Sequence, residues 1–114
     1  MKITIPAIPP SDNKYKGREN AWEYRNDKKY WLEMVSIYAK IARPRKPYEK
    51  ATVTITYFFP DKRRRDPDNY SGKFILDGIV GNVIKDDSFD CIDLRLAGSY
   101  DKNNPRTEVE ITEV

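Results

Sequence analysis

From Ala51 to Phe59 the chain reads Ala-Thr-Val-Thr-Ile-Thr-Tyr-Phe-Phe. Val53, Ile55, Tyr57 and Phe59 fall on one side of this segment, and Thr52, Thr54 and Thr56 on the other. Strand side chains alternate with a period of two, so the segment has one face for a core and one for water. A strand buried on both faces would read as a continuous apolar run. The alternation therefore predicts an antiparallel or mixed sheet covered on one side.

The remaining elements are read against that strand. Ile3 and Ile5 alternate with polar neighbours as a short first strand. Residues 6–18 carry prolines, Ser11, Asn13 and Gly17 and form a loop. From about Asn20 to Ala42, Trp31, Met34, Val35, Tyr38 and Ala42 recur at helical spacing, and Pro44 ends the helix by disfavouring helical geometry at Arg43. A second helix is expected from about Asn69 to Val80, with Phe74, Ile75, Ile79 and Val80 as its apolar face and Gly81 stopping it. Ile92, Leu94 and Leu96 alternate with polar residues, as do Val109 and Ile111, and the polar turn from Gly98 to Pro105 between them predicts a hairpin. The order is β-α-β-α-β-β. This describes an α+β fold with two helices packed on a mostly antiparallel mixed sheet. At 114 residues, 1–114 is expected to form a single domain.

Composition narrows the chemistry. The chain has no histidine and one cysteine. This excludes histidine bases, Ser-His-Asp triads, histidine-ligated metals, intrachain disulfides and cysteine zinc cages. Cys91 falls in an alternating stretch and is expected to be a strand cysteine without a chemical role. No apolar run approaches a membrane span and no signal-peptide core precedes the first strand, so a cytoplasmic, non-membrane protein is expected. Residues 1–65 hold 16 Lys/Arg against 7 Asp/Glu, a net of +9. Residues 66–114 hold 5 against 11, a net of −6. This asymmetry suggests a basic surface for a polyanion beside an acidic centre. The basic surface is assigned to 14–18, 43–50 and 62–65, with Lys14, Lys16, Arg18, Arg63, Arg64 and Arg65 as DNA-binding candidates.

The acidic centre is sought in Arg63-Arg64-Arg65-Asp66-Pro67-Asp68-Asn69-Tyr70-Ser71-Gly72-Lys73. Pro67 biases Asp66 toward extended geometry, in which Asp66 and Asp68 would point to the same side. Two carboxylates at ~4 Å repel by on the order of 4 kcal/mol at an effective dielectric of ~20, and a bound cation relieves this. Oxygen donors without histidine or cysteine select Mg²⁺ or Mn²⁺ over zinc. The competing reading is a turn in which Asp68 or Asn69 caps the following helix. A second acidic pair, Asp86-Asp87, lies beyond the second helix, and the chain must double back for it to rejoin the first.

Together these residues resemble the RusA family of Holliday junction resolvases of bacteria and their phages. The resemblance runs from Ile8-Pro9-Pro10-Ser11-Asp12-Asn13 through Asp66-x-Asp68-Asn69, Lys73, Leu76-Asp77-Gly78-Ile79 and Asp86-Asp87 to the closing strands. It implies a homodimeric, Mg²⁺-dependent endodeoxyribonuclease that resolves four-way DNA junctions by paired nicks in recombination and repair, in a bacterial or phage-infected cell, with Mn²⁺ able to substitute. It also implies Asp66, Asp68 and Asp87 as catalytic metal ligands and Lys73 as the motif lysine, with Asp86, Asp77 and Asn69 in support. The family usually places two residues between the asparagine and the lysine; here Tyr70, Ser71 and Gly72 make three, and Gly72 is expected to absorb the extra one. A nuclease for flaps or forks and a non-catalytic DNA-binding protein are the rival readings.

Overall fold

Alternating and helical periodicities become, in chain order, β1 (Lys2–Ile5), a 3-10 turn (Asp12–Tyr15), α1 (Ala21–Ala42), β2 (Ala51–Phe59), a second 3-10 turn (Pro67–Asn69), α2 (Lys73–Ile79), β3 (Ile92–Tyr100) and β4 (Arg106–Glu113). The structure is a computed structural model and describes residues 1–17 and 20–114. The expected DNA contact Arg18 lies outside the described residues.

The sheet has four strands in the order β1-β4-β2-β3 and is mixed. β4 runs antiparallel to both β1 and β2, while β3 runs parallel to β2, from Ala51 opposite Ile92 to Phe59 opposite Tyr100. The architecture is thus α+β, but the closing hairpin is not formed, because β2 lies between β3 and β4. Two strand spacings are about 9.6 Å. The five-residue connection 101–105 can span up to roughly 17 Å, so it crosses over β2 without strain. Asp101 braces that crossing, its Oδ1 accepting from the N–H groups of Asn103 and Asn104 at 3.2 Å each. The parallel β2–β3 pair in turn requires a long crossover, which 60–91 with α2 provides.

Both helices lie on the apolar face of the sheet. Trp31, Val35 and Ala39 from α1 and Phe74, Ile75, Leu76 and Ile79 from α2 are buried with Ile3, Ile5, Val53, Ile55, Val109 and Ile111. Each buried large aliphatic or aromatic side chain contributes about 1.5–3 kcal/mol relative to exposure. α1 ends as expected, with Arg43 extended at φ −54°, ψ 142° ahead of Pro44.

α2 is shorter than its apolar pattern suggests. Residues 67–69 form a turn of their own, and Gly72 precedes the helix in the left-handed region at φ 84°. A Cβ at Gly72 would come within 2.8 Å of Ile55 Cδ1, so a glycine is required there on two counts. Val80 leaves the helix in extended geometry and Gly81, also at φ 84°, follows it as the expected stop. Cys91 lies one residue before β3 rather than in it, and its carbonyl accepts from the Ala51 N–H at 2.9 Å. Among the described residues no helix is long and apolar enough to cross a membrane.

Candidate active site

Beyond β2, Asp61 organises the basic run. It accepts from the Arg63 N–H at 3.0 Å and pairs with Arg65 Nη1 at 2.9 Å. Arg65 Nη1 also donates to the carbonyls of Asp61 and Arg63 at 3.0 Å each. The Arg63 N–H and the Arg65 guanidinium hold the Asp61 carboxyl below the usual carboxylate range. The Arg65 guanidinium lies 4.3 Å from the centre of the Phe59 ring and is therefore a fixed cation on an aromatic face.

Asp66 has the extended geometry expected before proline, at φ −106°, ψ 139°. The strand-like alternation ends there. The Asn69 N–H turns back to the Asp66 carbonyl at 3.0 Å and the Tyr70 N–H to that of Pro67 at 3.1 Å, so Asp68 sits in a 3-10 turn and not two residues along a strand. Neither aspartate caps a helix: the 3-10 turn has no side-chain cap, and the residue capping α2 is Gly72. Asp66 is half-exposed and accepts from Arg64 Nε at 3.2 Å. Among the described residues, the exposed carboxylates of Asp68, Asp86 and Asp87 make no hydrogen bond or ion pair.

Three depressions converge on Tyr70. A polar basin of about 400 Å³ is lined by Ser11, Asn13, Arg63, Arg64, Arg65, Asp66, Asn69 and Tyr70. An apolar pocket toward β3 shares Arg65, Asp66 and Tyr70 with it. A narrow cleft on the remaining side brings exposed Lys73 together with Pro9, Pro10, Asp12 and Tyr57. The two 3-10 turns pack against each other, which carries the Pro-Pro-Ser-x-Asn loop to the basic run. Sequence alone had not singled out Ser11, Asn13 or Tyr70 as site residues. Ser11 and Asn13 were present in the motif, whereas Tyr70 carried no pattern of its own.

Asp87 opens elsewhere. With Leu76, Ser88, Phe89, Ile92, Asp93 and Leu94 it lines a depression that meets β3 just before the Leu96–Gly98 stretch of the Tyr70 pocket. Among the described residues no three acidic, histidine or cysteine side chains are gathered closely enough to hold a metal ion. Asp77 is half-buried on α2 and Asp86 is exposed beside Asp87. Of the expected DNA contacts, Arg63, Arg64 and Arg65 line the basin, and Lys16 is exposed on the neighbouring loop. Lys14 is already engaged, with Asp27 at 2.9 Å and Glu23 at 3.2 Å.

Arginines and amide and hydroxyl groups of the kind that contact phosphate oxygens gather here with a carboxylate around one open basin. A family model for the endodeoxyribonuclease RusA matches residues 6–112. The chain belongs to the RusA endodeoxyribonuclease family. No curated protein matches it. The RusA match spans every element from the first loop to β4, so both 3-10 turns, the arginine run and both acidic pairs lie inside it. RusA membership makes the chain an enzyme acting on DNA, and the Tyr70 basin is where its basic and acidic groups meet.

Proposed function

We propose that this chain is a Mg²⁺-dependent endonuclease that resolves four-way DNA junctions as a homodimer by nicking two opposed strands. The observation that carries the reading is the basin shared by Arg63, Arg64, Arg65, Asp66, Asn69 and Tyr70, with the unpaired Asp68 carboxylate on the same turn. Asp66 and Asp68 would hold the metal. Mg²⁺ commonly takes only one or two carboxylates and fills its remaining positions with water and substrate phosphate, so two aspartates suffice in number. Oxygen-only donors fit a hard dication, and Mn²⁺ would substitute. When bound, the ion supplies Lewis-acid polarisation of the phosphate and acidifies water.

The chain's own groups do the rest. Arg63 and Arg64 hold the strand by its phosphates, with Lys16 extending that track, so binding weakens steeply with salt. Lys73, on the first turn of α2, faces the cleft beside Tyr70 and would stabilise charge developing on the phosphoryl oxygens. Asp87 would act as a further ligand, with Asp86 and Asp77 supporting it. A twofold dimer places one site on each of two opposed strands of a junction whose own symmetry is near twofold. β3 supports this assembly: it is a nine-residue edge strand on which Ile92, Leu94 and Leu96 remain only half-buried.

The test is cleavage of an end-labelled four-way junction with Mg²⁺, beside a linear duplex, flap and fork. Paired symmetric nicks in the junction are expected, with cleavage reduced at least roughly hundredfold in Asp68→Asn. Because Asp68 is exposed and unpaired, that variant should keep its fold within about 0.5 kcal/mol. Equal cutting of flaps and forks would make the chain a general branched-DNA nuclease. Binding without cutting in Mg²⁺ and Mn²⁺ would make it a non-catalytic DNA-binding protein.

A further inference from the structure

The apolar pocket beside Asp66 is unusual in its surroundings. The segment 63–69 that passes it is Arg-Arg-Arg-Asp-Pro-Asp-Asn, yet the pocket itself is walled chiefly by Tyr57, Phe59, Tyr70 and Leu96. Tyr70 stands edge-on to Phe59 with ring centres 5.2 Å apart and lies 5.5 Å from Tyr57. Between these rings and β3 remains a cavity of about 60 Å³ that opens to solvent. Gly98 keeps it open: a Cβ there would sit 3.6 Å from Phe59 Cε2, so any larger side chain would point at the wall and fill the space. Arg65 and Asp66 line both this pocket and the polar basin. All the hydrogen bonds that Arg65 makes among the described residues use Nη1.

We infer that this pocket receives the edge of one unpaired nucleobase, stacked on Tyr70, from the DNA strand whose backbone occupies the adjoining basin. The inference rests on the proposed nuclease reading and names what that site would recognise beyond phosphate. Tyr57 and Phe59 are buried and Arg65 covers the Phe59 face, so half-buried Tyr70 is the ring left to stack on a base, and stacking of this kind tolerates sequence variation. Arg65 offers donors to a base edge, so the pocket can also test what enters. Phosphate in the polar basin and base in the aromatic pocket are the two halves of one nucleotide, and Arg65, Asp66 and Tyr70 stand between them. Bases at a branch point are the least stacked in the substrate, so drawing one out costs least there. The pocket thus selects a branch point over continuous duplex.

The experiment uses the full chain without divalent cation and a four-way junction carrying 5-iodouracil at one nucleotide at a time around the crossover. After irradiation, the crosslinked residue is mapped by mass spectrometry. Crosslinks to Tyr57, Phe59 or Tyr70 are expected from one or two positions only. Gly98→Leu, which fills the pocket without removing a wall, should lower their yield about tenfold; Tyr70→Leu should do the same by removing a stacking face. A bound junction that crosslinks only to lysines and arginines outside the pocket overturns the inference. So does a Gly98→Leu variant that leaves the pocket crosslinks at full yield. Pocket crosslinks from a protein that then fails to cut in Mg²⁺ would uphold the pocket and sink the nuclease reading. Cutting without pocket crosslinks would do the reverse, and failure to bind the junction would overturn both.

Discussion

The Asp27 carboxylate accepts from Lys14 Nζ at 2.9 Å and from the Tyr15 hydroxyl at 2.7 Å, tying the first loop to α1. The bond from Lys14 is the main cause that holds Asp27 below the usual carboxylate range, with the Tyr15 bond adding to it against partial burial. The same carboxylate, after burial, pushes the Tyr15 phenol well above its ordinary value. For a depressed acid, the stability contributed is complete above the unfolded value of about 3.9 and is lost as pH falls through the folded one. Asp27→Asn should therefore lower the urea midpoint at pH 7, and the gap to wild type should shrink below about pH 4. A gap of equal size at pH 3 would show that the loop is held by packing and not by this charge. Asp101, bonded to Arg106 at 2.8 Å, and Glu108, bonded to Lys2 at 2.9 Å and to Arg106 at 2.7 Å, are likewise held low and belong to the β4 end of the sheet. These carboxylates have structural partners, whereas Asp68 and Asp87 have none among the described residues; Asp66, paired with Arg64, stands between the two groups.

At the scale of elements, α2 is defined by its glycines more than by its apolar face. Gly72 starts it in the left-handed region, and Gly78 lets α1 approach so closely that an added Cβ would collide with Val35. Gly78→Ala is expected to destabilise by about 1–3 kcal/mol through overpacking, even though alanine favours helix. Gly72→Ala should cost a comparable amount, and the Gly72 change alone should also disturb cleavage, since it shifts Lys73. Chemical denaturation of both variants beside their cleavage rates checks this; equal losses of activity would place the effect in global stability. The periodicity of β2 and α1 was legible in the sequence because each element meets the same surface along its whole length. Strand neighbours were not legible. Alternation says which way a side chain faces, not which strand lies beside it, so β3 and β4 read as a hairpin. The turn at 67–69 was legible only as a rival reading, and as a helix cap: Pro67 fixes its own and the preceding residue's geometry but does not announce that Asn69 will bond back to Asp66. Tyr70 was invisible because its role comes from three loops meeting.

For the molecule as a whole, the unresolved tension is between one basin per chain and a reaction needing two cuts. The edge of β3 offers an answer. Phe89 is 103% exposed and Leu94 half-buried, both beside Asp87, and with Ile92 they form an apolar stretch along the sheet edge. In the proposed dimer, a twofold contact here would set one β3 edge against the other, with Phe89 packing across the seam. It would also cover a long edge strand that otherwise presents unpaired backbone groups. Phe89→Asp should then shift wild-type dimers to monomers by sedimentation. On a supercoiled plasmid carrying an extruded cruciform, wild type should give linear product, because both strands are cut within one encounter. The variant should accumulate nicked circles first, at a per-site rate within about threefold of wild type, as expected when one complex no longer carries both sites. Persistent dimers in Phe89→Asp would move the interface off β3, whereas monomers that still linearise the plasmid in one step would show that paired cutting does not depend on the dimer.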